Sequence, residues 1–149
     1  SFTKFYAVPG LRIGAAFSNP LIIEQLNSFI PTWSVNTLAQ SYTEAALNDV
    51  EYVKRTKQVL HEEQLFMYNS LDTIDGITIY PPSANFMLFH IEQEGITAES
   101  INEALKKHNM IVRNCDSYMG LNNQWVRVAI KDHDTNVKLV EKLTDILKV

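Results

Sequence analysis

The sequence predicts a mixed α and β fold in which a small α+β domain follows part of a larger layered structure. Residues 77–149 alternate short β-branched runs with amphipathic helices in the order β-β-α-β-β-α, which is typical of an antiparallel sheet with helices on one face. Residues 1–49 contain one predicted strand and two predicted helices, which cannot bury both faces of a layer by themselves. We therefore expect a remnant of a larger domain at 1–49, then a linking helix and a small domain at 50–149.

The N-terminal part is predicted to hold a strand and two helices. A turn containing Pro and Gly leads into an expected strand over residues 11–17. Asn19 followed by Pro20 is typical of a helix start, and this helix should end before Pro31. A second helix is expected over 37–48. The first helix should bury its apolar side chains, which are Leu21, Ile22, Leu26 and Phe29.

The longest helical pattern covers residues 50–71 and leads into the small domain. Its apolar stripe includes Met67 and Leu71, whereas Glu62 and Glu63 are interpreted as part of a hydrated face. The remaining expected elements are strands at 77–80, 85–91, 110–113 and 124–130 and helices at 98–108 and 133–147, the first of these helices capped by Thr97.

The composition excludes several classes of function. The chain has 149 residues, 46% of them hydrophobic, and 17 acidic against 13 basic residues give a formal charge of −4. A nucleic-acid binder normally shows a basic surplus, so we expect no nucleic-acid partner. No apolar run approaches the roughly 20 residues that a transmembrane helix needs, and no export leader is visible, so we expect no membrane partner. The single Cys115 cannot form an internal disulfide, which fits a reducing compartment, so we predict a cytoplasmic protein. The histidines lack metal-ligand spacing, so we predict no metal site.

The first fourteen residues, SFTKFYAVPGLRIG, carry the most informative chemistry. They place the Lys4 amine among two hydroxyls, those of Ser1 and Thr3, with the Arg12 guanidinium eight residues later. Hydroxyls and a guanidinium can hold a phosphate, and an amine beside a phosphate site suggests a covalent imine with a phosphorylated aldehyde. From spacing alone, a surface lysine and arginine flanking an ordinary turn remain an alternative.

Two further arginines form a second candidate site. Arg113 ends one predicted strand, and alternation places Arg127 on the face of the next strand opposite Val126 and Val128. If the two strands pair, both guanidiniums can converge on a dianionic group such as a phosphate ester. The alternative is a pair of solvated arginines on an open sheet. Cys115 and His90 are interpreted as packing residues.

The pattern S-x-T-K-x-Y-x-x-P-G-L-R-x-G resembles the cofactor-lysine segment of the fold-type-I pyridoxal-5′-phosphate (PLP) enzymes. The similarity continues through WSVN at 33–36, SANF at 83–86, IVRNC at 111–115 and WVRVAI at 125–130. It is closest to the histidinol-phosphate aminotransferase branch of the class I/II aminotransferase superfamily, and within it to the L-threonine-O-3-phosphate decarboxylases. The implied fold class is α/β with an α+β C-terminal domain, as part of a fold-type-I PLP-dependent transferase.

The resemblance also implies roles for the candidate residues. Lys4 would form the imine with PLP and later move protons, and Ser1, Thr3 and Arg12 would hold the cofactor phosphate. Arg113 and Arg127 would bind the substrate phosphate. The implied reaction is decarboxylation of L-threonine O-3-phosphate to aminopropanol phosphate, in cobalamin side-chain assembly.

Two alternatives to this reaction stay open: a histidinol-phosphate-type aminotransferase and a non-catalytic interaction module. In the superfamily the lysine segment lies well past the middle of the chain, so we expect these residues to be the C-terminal part of a longer enzyme. That enzyme would be a homodimer, and the fragment alone would be inactive.

Overall fold

A computed structural model describes residues 1–148 of the chain. The chain divides into two compact units, Ser1–Thr56 and Lys57–Val149, called here the N-terminal and C-terminal units. The helices are α1 Pro20–Phe29, α2 Thr37–Asn48, α3 Val50–Leu71, α4 Ala98–Lys106 and α5 His133–Leu147, and the strands are β1 Ile77–Tyr80, β2 Phe86–Ile91, β3 Arg113–Asn114 and β4 Trp125–Ala129. A short 3-10 turn lies at Pro9–Leu11.

Side-chain caps set the starts of the two helices in the N-terminal unit. Asn19 Oδ1 accepts a hydrogen bond from the Leu21 amide at 3.0 Å, directly before the proline that opens α1. Asn36 Oδ1 accepts a hydrogen bond from the Ala39 amide at 2.8 Å at the start of α2. Because these bonds satisfy amides that have no partner within the helix, they fix where each helix begins. Both helices are confirmed as predicted.

The strand predicted over 11–17 is wrong. Pro9–Leu11 forms a 3-10 turn, Arg12 has a left-handed φ of 51°, and the residues that follow have no regular structure. A strand requires a hydrogen-bonded neighbour, and no strand within residues 1–148 pairs with this segment. A backbone bond from the Phe2 N–H to the Ile13 carbonyl, at 3.3 Å, is what ties it to the preceding residues.

The apolar face of α1 also differs from the prediction. The side chains expected to point inward are exposed, with Leu21 71% and Phe29 82% accessible and Ile22 and Leu26 exposed as well. A helix buries its apolar face only against another packed element, and no described residue of the N-terminal unit covers this one. The amphipathic pattern therefore predicted the helix correctly but not its burial.

The C-terminal unit is an antiparallel sheet in the order β1-β2-β4-β3, with helices on one face. Alternation along the strands sends Phe89 and Val126 into the core, together with Met67 from α3, Ile101 from α4 and Leu143 from α5, all fully buried. The opposite sheet face carries the remaining side chains of β2 and β4. This confirms the predicted α+β arrangement and the predicted faces of β4.

Glu63 corrects the prediction of a hydrated face on α3. Its side chain is buried, although the adjacent Glu62 is exposed. Glu63 Oε2 accepts a hydrogen bond from Asn136 Nδ2 at 2.7 Å, and Oε1 lies 3.0 Å from His133 Nδ1. Both partners lie in the first turn of α5. Burying a carboxylate is costly unless it has hydrogen-bond partners, and these two side chains supply them.

The strand predicted over 110–113 is shorter than expected: it begins three residues later, at Arg113, and ends one residue later, at Asn114. The Asn102 side chain accepts from the Val112 N–H at 2.8 Å and donates to the Val112 carbonyl at 2.9 Å. Because α4 takes both backbone groups of Val112, the β ladder begins only at Arg113.

Candidate active site

The two hydroxyls predicted to hold a phosphate lie side by side. Ser1 Oγ donates to Thr3 Oγ1 at 3.0 Å and accepts from the Thr3 amide at 3.3 Å. Phe2 lies between the two hydroxyl-bearing residues, and its amide donates to the Ile13 carbonyl. Ser1 and Thr3 therefore lie beside the backbone that directly follows Arg12.

Arg12 sits in a strained turn and keeps most of its donors unused. Its φ of 51° is in the left-handed region, which is uncommon for a residue with a side chain. Nη1 donates to the Pro9 carbonyl at 3.0 Å, which leaves other N–H groups of the exposed guanidinium for an anion. The Leu11 carbonyl receives Asn36 Nδ2 at 3.4 Å, so the residue that caps α2 also ties down this turn.

Lys4 lies in a compact turn with an exposed side chain. The Lys4 carbonyl accepts from the Ala7 amide at 3.1 Å, and the Phe2 carbonyl accepts from the Tyr6 amide at 3.2 Å. Among the residues that the structure describes, Lys4 forms no ion pair with a carboxylate. Its amine is thus held on a defined backbone and is open to a ligand.

Arg113 and Arg127 are direct partners across the β3–β4 ladder. Paired residues of an antiparallel ladder project from the same face, so both guanidiniums leave the side of the sheet opposite the core. Neither one pairs with a carboxylate within residues 1–148. The prediction that these strands would pair is confirmed, and two guanidiniums on one sheet face favour a dianionic ligand.

Tyr118 links the two arginines and was not predicted from the sequence. Arg127 Nη1 donates to Tyr118 Oη at 3.4 Å, and the Arg113 guanidinium carbon lies 5.8 Å from the centroid of the same ring. Arg113 Nη2 also donates to Ser117 Oγ at 3.3 Å, and Arg127 lies 4.8 Å from the Phe86 ring centroid. The turn between the strands therefore supplies residues that orient both guanidiniums.

Cys115 lies directly after β3 and is a packing residue, as predicted. The side chain is 1% exposed. Burial raises the pKa of the thiol above its ordinary value, although the nearby Arg127 and Arg113 charges act in the opposite direction. A protonated, inaccessible thiol is a poor nucleophile, and Cys115 is not a candidate for covalent chemistry.

No helix within residues 1–148 combines the length and apolar character needed to cross a membrane. The same residues contain no group of three or more His, Cys, Asp and Glu side chains arranged to hold a metal ion.

The family model "Aminotransferase class I and II" matches residues 1–143. The chain belongs to this family. Members of the family use pyridoxal phosphate, and the fold is that of the corresponding part of a fold-type-I transferase. The resemblance inferred from the residue patterns is thereby confirmed.

The similar proteins are of two kinds, aminotransferases and decarboxylases. The chain is 34% identical over 148 residues to the histidinol-phosphate aminotransferase of Methanosphaera stadtmanae, covering 99% of this chain and 40% of that protein. It is also 34% identical over 148 residues to the threonine-phosphate decarboxylase of Salmonella typhimurium, again covering 99% of this chain and 40% of that protein. The crystal structure of the histidinol-phosphate aminotransferase from Clostridium acetobutylicum superposes with a TM-score of 0.93 at 29% identity, over 99% of this chain and 44% of that one. The chain therefore spans about two fifths of the length of these relatives.

Proposed function

We propose that this chain supplies the cofactor lysine and the substrate-phosphate arginines of a PLP-dependent enzyme that decarboxylates L-threonine O-3-phosphate to aminopropanol phosphate. The observation that supports a phosphorylated substrate is the pair formed by Arg113 and Arg127, which are register partners on one sheet face, share Tyr118 and lack carboxylate partners in the described chain. Such a pair suits a phosphate ester better than a single carboxylate. Because the chain spans about two fifths of its relatives, we propose that it acts within a longer polypeptide.

The N-terminal segment fits the phosphate and aldehyde of PLP by its donor chemistry. Ser1 and Thr3 offer adjacent hydroxyls, and Arg12 offers guanidinium N–H groups that the Pro9 carbonyl does not use. We assign these three residues to the cofactor phosphate and Lys4 to the aldehyde. When bound, PLP supplies an electron-accepting ring for reactions at the α-carbon of an amino acid.

The residues of this chain would then divide the work. Lys4 would hold the cofactor and afterwards move a proton to or from the α-carbon, since an amine released from its covalent bond can act as a general base or acid. Arg113 and Arg127 would fix the phosphate end of the substrate, which limits its rotation and so helps select the bond that breaks. Tyr118 would keep the two guanidiniums in place.

The second candidate is an aminotransferase acting on histidinol phosphate or a similar phosphorylated substrate. The 34% identity to the Methanosphaera stadtmanae enzyme favours it. In this reaction Lys4 moves the α-proton, and the arginine pair again binds the phosphate. The two candidates use the same residues and differ in the bond that is broken at the α-carbon.

The test uses the full-length protein with added PLP. With threonine phosphate, the first proposal expects carbon dioxide and aminopropanol phosphate, and much less product from unphosphorylated threonine at the same concentration. The second candidate instead expects glutamate and a keto phosphate from histidinol phosphate and 2-oxoglutarate. Absence of carbon dioxide together with steady glutamate formation would reject the decarboxylase. The homodimer and the cytoplasmic location remain predictions, and light scattering of the full-length protein tests the first of these.

A further inference from the structure

The two backbone carbonyls that follow Lys4 each receive a tyrosine hydroxyl from a helix. Tyr52, in the first turn of α3, donates from its hydroxyl to the Phe5 carbonyl at 2.8 Å. Tyr42, in α2, donates to the Tyr6 carbonyl at 3.0 Å. These partners lie 47 and 36 residues apart in sequence, so the bonds are tertiary contacts within the N-terminal unit.

The turn itself does not use these two carbonyls. Its internal hydrogen bonds go to the carbonyls of Phe2 and Lys4, and Ala7 closes it with a left-handed φ of 53°. A left-handed alanine is strained, so the turn needs outside support to persist. The tyrosine hydroxyls satisfy the Phe5 and Tyr6 carbonyls and supply that support.

Aromatic packing fixes the Tyr52 ring. It stacks on Tyr6 with ring centroids 5.7 Å apart and meets Phe5 edge-on at 6.0 Å. The Tyr52 amide donates to Asp49 Oδ1 at 2.8 Å, which anchors the start of α3. The hydroxyl is therefore presented to the Phe5 carbonyl by a ring with little freedom to rotate.

We infer that Tyr52 and Tyr42 are positioning residues for Lys4, an inference that rests on the proposed function. The Phe5 and Tyr6 carbonyls belong to the two peptide planes after those of Lys4, and holding them restricts the rotation of the lysine backbone. The direction of the lysine side chain, and with it the angle of a covalently held cofactor, then depends on two hydroxyls that donate to the backbone after Lys4. Pre-positioning of this kind raises the rate of the chemical step more than it raises affinity.

The experiment compares Tyr52→Phe, Tyr42→Phe and the double variant in the full-length protein with PLP. Phenylalanine keeps the ring and removes only the hydroxyl. Tyr68→Phe is the matched control, because Tyr68 is half-buried on the same helix α3 and packs against the core of the C-terminal unit. The measurements are kcat and KM, the visible circular dichroism per bound cofactor, which reports a fixed cofactor orientation, and the melting temperature.

For Tyr52→Phe we expect kcat to fall roughly three- to tenfold, the size of one lost hydrogen bond, with KM within about twofold of wild type. Its circular dichroism per cofactor should fall as well. Tyr42→Phe should show the same changes at smaller size, because its bond is longer and more exposed. If Tyr52→Phe does not fold, Tyr42→Phe carries the test.

Two results would overturn the inference, and they can be told apart. If wild type binds PLP on Lys4 but the tyrosine variants match Tyr68→Phe in kcat and circular dichroism, the positioning role is wrong and the proposed function stands. A melting temperature that falls without those two changes has the same meaning. If wild type forms no covalent bond between Lys4 and PLP, the proposed function fails and the inference fails with it.

Discussion

The two units of this chain differ most in how far they cover their own apolar side chains. The C-terminal unit has a continuous core in which Phe89, Met67 and Leu143 are fully buried. In the N-terminal unit the buried hydrophobic residues within the described chain are Ala39 and Ala46, whereas Phe29 and Trp33 are exposed. The C-terminal unit is thus stabilised by its own hydrophobic core, whereas the N-terminal unit is held mainly by helix caps, turns and aromatic contacts.

The residues proposed for the chemistry are also divided between the two units. The N-terminal unit carries the amine and hydroxyls, on a turn held by hydrogen bonds and ring stacking. The C-terminal unit carries Arg113 and Arg127 on a sheet that packs on a core. This difference suggests that binding of the substrate phosphate rests on a rigid scaffold, whereas placement of Lys4 depends on a few specific contacts.

The largest expected stability effect contrasts two phenylalanines. Phe89→Ala removes a fully buried side chain and should lower the free energy of unfolding by about 3–5 kcal/mol, as large-to-small changes in cores do. Phe29→Ala, at an exposed position in α1, should change it by about 0.5 kcal/mol or less in the 149-residue chain. Urea unfolding of both variants measures the difference, and similar losses would contradict the contrast between the units.

Local sequence patterns predicted most helices and strands because those elements follow from neighbours in the chain. Caps at Asn19 and Asn36, and alternation in β4, need no knowledge of distant residues. The strand at 11–17 was wrong because strand formation requires a partner, which local pattern does not reveal.

Glu63 shows how a local rule can mislead. It lies four residues before Met67 and so falls on the apolar stripe, but its charge led to a surface assignment. Its partners His133 and Asn136 come 70 and 73 residues later.

At the candidate site the arginine pair could be predicted from alternation, whereas Tyr118 could not, because its role depends on the path of a turn.

A smaller stability effect separates two adjacent glutamates in the C-terminal unit. Glu63→Ala removes the buried carboxylate that accepts from Asn136 and His133, and it should lower the free energy of unfolding by about 1–3 kcal/mol. The control Glu62→Ala, at an exposed position, should lower the free energy of unfolding by about 0.5 kcal/mol or less. Equal melting temperatures for the two variants would show that the buried cluster does not stabilise the unit.

Tyr118→Phe tests whether the arginines act as an organised pair. The change removes the hydroxyl that accepts from Arg127 and keeps the ring near Arg113. We expect KM for the phosphorylated substrate to rise roughly threefold, less than for a buried bond because this one is long and exposed, with kcat nearly unchanged. Tyr80→Phe, at an exposed position in β1, serves as the control. A fall in kcat at constant KM would contradict the assignment to binding.

The smallest expected effect is a pH dependence at the start of α5. The hydroxyl and then the amide of Thr135 donate to Asp132 and lower the pKa of that carboxyl. Because the folded pKa lies below the unfolded one, this stabilisation is present above pH of about 4 and is lost as the pH falls through the lowered value.

Asp132→Asn keeps a side-chain cap but removes the titration. The stability advantage of wild type over Asp132→Asn should therefore shrink between pH 6 and about pH 2. The caps of α1 and α2 in the N-terminal unit are uncharged asparagines and should show no such dependence. An advantage that is constant across this range would reject the account of the cap.

The central claim is that Lys4 holds the cofactor, and borohydride reduction of the full-length protein with PLP tests it most directly. Reduction turns the covalent bond into a stable pyridoxyl adduct, which peptide mass spectrometry can locate. We expect the adduct on Lys4 in wild type and its loss in Lys4→Ala, with the exposed Lys57 unmodified in both. An adduct on another lysine, or none in wild type, would contradict the account.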